Sequence, residues 1–152
     1  MTRTTFFLTL FLGAVAGVAA GADKPAAKPS VPATTAKGTN TQVIAYYFHG
    51  TIRCETCLKI EKQARETIER QFQTEIYEKR LVFKAVNYEK TENPHFLKDY
   101  KLPCPSLVLV RQKGGKDEQW KLLSDTWEHA ENPVKLNEYI EGEVEKILRE
   151  GK

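Results

Sequence analysis

Two cysteines, Cys54 and Cys57, stand between an apolar run and an amphipathic pattern, and they constrain the fold more than any other feature. The run 43–48 is continuous, β-branched and aromatic, which is typical of a strand buried on both faces of a sheet. Apolar residues then recur every four positions from Ile60 to Phe72, which predicts a helix of about five turns. In the order strand, loop, Cys-x-x-Cys and helix, such a pair indicates redox chemistry.

The rest of the pattern predicts three more strands and two more helices. Strands are expected at 81–87, 106–111 and 119–123. Asn93-Pro94 and Asn132-Pro133 each fit an N-cap followed by a proline that opens a helix. A Gly-Gly turn at 113–116 joins the last two strands as a hairpin. The order β-α-β-α-β-β-α predicts an α/β fold, with a four-stranded mixed sheet and helices on both of its faces.

The amino-terminal region fits an export signal. A basic residue, Arg3, precedes an apolar and small-residue run at 6–20, and small residues follow at a suitable cleavage position. We therefore expect a signal peptide at 1–22, with an uncleaved anchor as the alternative. Residues 23–41 are rich in Pro, Ala, Thr and Lys and predict a disordered tether. The folded domain is expected at 42–150, in a periplasmic or other extracytoplasmic compartment where disulfides persist.

Composition excludes some partner classes. The formal net charge is +3, and basic residues are interleaved with acidic ones. No basic stripe indicates nucleic acid, so we expect no nucleic-acid partner. After signal cleavage we expect no stable membrane insertion, and we expect a monomer.

The residues resemble the thioredoxin superfamily over about 42–150. The resemblance depends on the element order, on Cys54-x-x-Cys57 at the start of the first helix, and on Pro105 at the start of the third strand. The wording Tyr-Tyr-Phe-His-Gly-Thr-Ile-Arg-Cys-x-Thr-Cys also resembles a small exported branch named a nitrophenyl-compound nitroreductase subunit family. The resemblance implies a thioredoxin fold and a Pro105 that lies against the dithiol, typically after a cis bond.

Two departures from the family bear on activity. Thioredoxins carry Trp-Cys-Gly-Pro-Cys, whereas this chain has Arg53-Cys54-Glu55-Thr56-Cys57. They also carry a buried Asp six residues before the first cysteine, and Phe48 stands at that position here. No evident internal base therefore serves the buried thiol, and efficient general disulfide reduction is in doubt.

The position of Cys54 predicts its role. At a helix N-terminus, unpaired N–H groups and the helix dipole favour a thiolate; Arg53 adds to this effect and Glu55 opposes it. Cys54 is therefore the expected nucleophile, and the more buried Cys57 the resolving thiol. We expect this redox disulfide to act on protein thiols and disulfides, with no other cofactor. The alternatives are a permanent structural disulfide and a redox-inert interaction module.

Cys104, the third cysteine, precedes Pro105 and is expected near the dithiol. It is interpreted as a further redox thiol, as a soft-metal ligand or as a packing residue. In the metal-binding alternative, a metallochaperone would use Cys54, Cys57 and Cys104 for Zn(II), Cu(I) or an iron–sulfur cluster, with His49 as a fourth ligand. The competing interpretation of His49 is a histidine hydrogen-bonded to the backbone.

Overall fold

A computed structural model of the chain describes residues 41–150. The predicted signal peptide and tether lie outside these residues, apart from Thr41. The strands are β1 Thr41–His49, β2 Leu81–Asn87, β3 Ser106–Lys113 and β4 Lys116–Leu122. The helices are α1 Glu55–Gln71, α2 Gln73–Tyr77, α3 His95–Asp99 and α4 Pro133–Arg149, and a 3₁₀ turn spans Ser124–Thr126.

The four strands form one mixed sheet in the order β2-β1-β3-β4. β1 and β2 are parallel, as expected for strands joined through a helix, and the other two pairs are antiparallel. Gly114 and Gly115, with φ of 59° and 78°, make the turn between β3 and β4, where left-handed backbone matches the twist of a hairpin. The predicted α/β fold is confirmed, and its architecture is thioredoxin-like.

Hydrophobic cores lie on both faces of the sheet. Alternate residues of β1 point to opposite faces, so Val43, Ala45 and Tyr47 pack with α1 and α4. The intervening residues of β1 pack on the other face with Tyr100, which follows α3. Helices on both faces explain why the sequence of β1 is apolar without interruption.

The two predicted helix caps differ in outcome. The Asn132 side chain accepts a hydrogen bond from the Lys135 amide at 3.2 Å, with Pro133 in the first turn of α4, as predicted. The Asn93 prediction is wrong, because that side chain donates to the Asn87 carbonyl at 2.8 Å and α3 begins only at His95. No helix in residues 41–150 is both long enough and apolar enough to cross a membrane.

Candidate functional site: a dithiol at the start of helix α1

The loop between β1 and α1 is tied to the segment that follows β2. The Thr51 amide donates to a carboxylate oxygen of Glu89 at 2.9 Å, and the Asn87 side-chain amide donates to the Thr51 hydroxyl at 3.0 Å. The pKa of Glu89 is lowered by its hydrogen bonds with Thr51, first that of the backbone amide and then that of the side chain. A Cβ at Gly50 would lie 2.9 Å from the other Glu89 carboxylate oxygen, so a larger residue there would make the Glu89 side chain shift. The loop that leads to the cysteines is therefore held in place.

Cys54 and Cys57 form a disulfide across the first turn of α1, with their Cα atoms 5.1 Å apart. Cys54 is the N-cap residue, with extended backbone, and its sulfur accepts a hydrogen bond from the Cys57 amide at 3.1 Å. Cys54 is exposed, whereas only 4% of Cys57 is accessible. The structure thus has the predicted asymmetry, with one accessible sulfur at the helix N-terminus and one buried sulfur behind it.

Tyr47 lies under the dithiol, and no sequence pattern predicted a role for it. Its side chain is fully buried, and its hydroxyl donates to the Cys57 carbonyl at 2.7 Å. Burial is the main cause of the raised pKa of Tyr47, so the phenol stays protonated at neutral pH. Phe48, six residues before Cys54, packs on the other sheet face. A side chain there points away from α1, so it is Tyr47 that faces Cys57.

The guanidinium group of Arg53, the residue before Cys54, forms an ion pair with Glu61. Glu61 lies one helical turn beyond Cys57 and also receives Arg65 at 3.5 Å. Both partners of the pair are largely buried, with 22% of the Arg53 side chain and 15% of the Glu61 side chain exposed. The Arg53 guanidinium carbon also lies 6.0 Å from the centre of the Tyr47 ring. The positive charge that was expected to act on Cys54 therefore has a carboxylate partner.

Cys104 lies at the same end of the sheet as the dithiol. Two residues beyond it, Ser106 pairs with Phe48 near the end of β1. The thiol of Cys104 is free and exposed. Its expected closeness to the sulfurs of the pair stays a prediction.

The expected cis bond before Pro105 is wrong, because residues 41–150 contain no cis peptide bond. Trans is the lower-energy isomer for X–Pro bonds. The surrounding loop makes its hydrogen bonds with the trans form. The Ser106 hydroxyl donates to the Cys104 carbonyl at 2.7 Å, and the Trp127 indole N–H donates to the Pro105 carbonyl at 2.9 Å. The Cys104 and Pro105 carbonyls therefore each accept a hydrogen bond from within the chain.

The described residues do not assemble a metal site. Between Thr41 and Glu150, no group of three or more His, Cys, Asp or Glu side chains is arranged to hold a metal ion. Nδ1 of His49 lies 2.8 Å from the Gly50 carbonyl, which confirms the backbone interpretation of this residue. The three-cysteine ligand set stays a prediction, and it would need the disulfide to be reduced, because metals bind thiolates.

Comparisons with known proteins assign no function to this site. No protein-family model matches the chain, and no curated protein matches it. Among solved structures, one described as "Structure of a malarial protein" is similar, with a TM-score of 0.38 and 16% sequence identity. That match covers 62% of this chain and 94% of the other. A similarity of this size carries no argument about function.

Proposed function

We propose that this is an exported thiol–disulfide oxidoreductase, or dithiol electron-transfer protein, that acts on protein thiols and disulfides through Cys54 and Cys57. The observation that carries the proposal is the pairing of an exposed sulfur at the N-cap of α1 with a buried sulfur. A Cys-x-x-Cys bridge closes a very short loop and constrains the unfolded chain little, so a purely structural role is a weak explanation.

The first chemical step uses the Cys54 thiolate of the reduced protein. The Cys57 amide and the N-terminus of α1 favour negative charge on this sulfur. The thiolate attacks one sulfur of a partner disulfide, the partner's S–S bond breaks, and its second sulfur leaves as a thiolate. The product is a mixed disulfide between Cys54 and the partner.

In the second step, Cys57 resolves the mixed disulfide. The Cys57 thiol gives up its proton, which the partner's first thiolate takes up through solvent, and its sulfur attacks the Cys54 sulfur. The bond to the partner breaks, and the partner leaves with one thiol and one thiolate. Two electrons have then passed to the partner, and the Cys54–Cys57 disulfide has formed. The same two steps, run in reverse, oxidise a partner dithiol. Tyr47 keeps the start of α1 fixed to β1, so the two sulfurs stay within reach of each other.

An exposed apolar residue beside the dithiol supports a polypeptide partner. Ile52 is 93% exposed, although its neighbours Thr51 and Arg53 are tied down by Glu89 and Glu61. The chain therefore holds an isoleucine in water two residues from Cys54. Leu58, half exposed, lies just beyond Cys57. Apolar surface beside a reactive sulfur suits a disulfide flanked by apolar side chains more than it suits a small hydrophilic disulfide.

The test is exchange between the purified protein and a disulfide-linked fluorescent peptide. Cys54→Ser is expected to abolish exchange while the circular dichroism spectrum is retained. Cys57→Ser is expected to accumulate the mixed disulfide with Cys54, because the resolving thiol is gone. Cys104→Ser removes the third thiol and leaves the pair intact, and it is expected to retain exchange. Retention of full exchange by Cys54→Ser would refute the proposal, and stoichiometric metal lost on Cys104→Ser would instead support the metal-binding alternative.

A further inference from the structure

The ion pair between Arg53 and Glu61 has features that packing alone does not explain. Arg53 directly precedes the nucleophilic sulfur, and Glu61 follows the resolving cysteine by one helical turn. The pair therefore brackets both cysteines in the sequence. Its carboxylate also receives Arg65, so Glu61 balances two positive charges.

Glu61 is the main anchor of the Arg53 guanidinium. The Arg53 Nε is buried, and no described residue accepts a hydrogen bond from it. The remaining contact is with the face of Tyr47, at 6.0 Å from the ring centre. Without the Glu61 carboxylate, the guanidinium would lose the partner that neutralises it and would be free to turn toward another anion.

The residue that follows Arg53, Cys54, becomes an anion in one redox state only. When the pair is reduced, Cys54 carries a thiolate next to Arg53 along the chain, whereas the disulfide of the oxidised protein carries no charge. An uncompensated guanidinium would therefore stabilise the reduced protein more than the oxidised protein. A dithiol whose reduced form is stabilised is a stronger oxidant. Glu61, by occupying Arg53, opposes that effect.

We propose that Glu61 is a positioning residue that lowers the reduction potential of the Cys54–Cys57 pair, by holding and neutralising the Arg53 guanidinium. This inference adds a tuning residue to the proposed redox function and depends on that function. It assigns a redox-tuning role to a carboxylate on the helix, in a chain where the family's strand carboxylate is replaced by Phe48. Glu61 acts through Arg53 and is not itself assigned contact with the substrate.

The experiment compares Glu61→Gln with the intact protein in a series of glutathione redox buffers. The reduced and oxidised forms are separated by alkylation and counted by mass spectrometry. Glu61→Gln is expected to raise the ratio of reduced to oxidised protein about tenfold at a fixed buffer potential, which corresponds to ~30 mV. Glu145→Gln is the matched control, because it removes the same charge from a half-exposed carboxylate of α4 whose partner is Arg149, outside the Arg53–Glu61–Arg65 network. Its expected change is below twofold.

A double variant separates the indirect mechanism from a direct one. If Glu61 acts through Arg53, adding Glu61→Gln to an Arg53→Gln protein should change the ratio by less than twofold. A full tenfold change in that background would show that Glu61 acts directly on the sulfurs, and it would overturn the inference. No change in the single Glu61→Gln variant would also overturn it.

A second measurement keeps this inference separate from the proposed function. The rate of Cys54 alkylation in the chemically reduced protein, followed against pH, reports the thiolate without any exchange partner. Glu61→Gln is expected to shift this profile toward lower pH, and the control Glu145→Gln is expected to leave it unchanged. A pair that never titrates with glutathione would refute the proposed function, while the pH profile would still test Glu61. An unshifted profile would refute the role of Glu61.

Discussion

Replacing Tyr47 with phenylalanine removes one hydrogen bond under the dithiol and little else. The Tyr47 hydroxyl is buried and donates to the Cys57 carbonyl at 2.7 Å. That carbonyl still accepts the amide four residues on in α1, and the phenylalanine leaves no polar atom unpaired. The expected loss is therefore that of one hydrogen bond, about 1 kcal/mol in the free energy of unfolding. For a domain of this size, such a loss lowers the melting temperature by about 4 °C.

The assay is urea unfolding of the oxidised and of the reduced protein, each with its Tyr47→Phe variant. We expect the same loss in both redox states, because the hydroxyl contacts a carbonyl and not a sulfur. Tyr77→Phe is the matched control, since Tyr77 is 88% exposed and its hydroxyl removal should leave stability unchanged. An unfolding free energy of Tyr47→Phe equal to that of the original protein would refute the argument that this bond fixes the start of α1.

Three further predictions follow from the same geometry. Gly50→Ala should cost about 0.5–1 kcal/mol in urea unfolding, because the Glu89 carboxylate must move and its hydrogen bond from Thr51 weakens. A Glu89→Ala background should relieve part of that cost, and full additivity would contradict this. Ile52→Ser should raise KM about tenfold for a peptide disulfide with apolar flanks but leave exchange with oxidised glutathione unchanged. The control Tyr77→Ser should alter neither reaction. A parallel loss with both substrates would count against an apolar contact at Ile52. The free energy of unfolding should fall above about pH 10. Burial raises the pKa of five tyrosines in the folded protein, that of Tyr139 to about 12, so the stability that their protonated phenols contribute below pH 10 is lost as pH rises. Equal unfolding free energies at pH 8 and pH 11 would contradict this.

The sequence predicted the fold because each local pattern agreed with the next. The apolar run of β1, the four-residue period of α1 and the Gly-Gly turn all appear as structure at or near their expected positions. The Asn-Pro pairs show where this reasoning ends. At Asn132 the side-chain oxygen caps the helix, whereas at Asn93 the side-chain amide donates instead to the Asn87 carbonyl at the end of β2. Local sequence does not specify that competing acceptor.

The site was predicted only in part, for a related reason. Cys54 and Cys57 could be placed because a helix start fixes which cysteine is exposed. Tyr47 could not be placed, since a strand that is apolar on both faces does not reveal which residue faces α1. The sequence could have placed Glu61 near the dithiol, because Glu61 follows Cys57 by one helical turn. The pairing of Glu61 with Arg53 could not be predicted, because it depends on the path of the loop between β1 and α1. That loop is held by Glu89, which is distant in the sequence.

The most direct test of the central claim is a redox titration of the mature protein with a count of its free thiols. The protein is equilibrated in glutathione buffers of increasing reducing strength, then denatured, alkylated and weighed. We predict a reversible two-electron transition from one free thiol, at Cys104, to three, with the bridge of the oxidised form mapped to Cys54–Cys57. A pair that stays oxidised in every glutathione buffer would instead identify a structural disulfide and contradict the account.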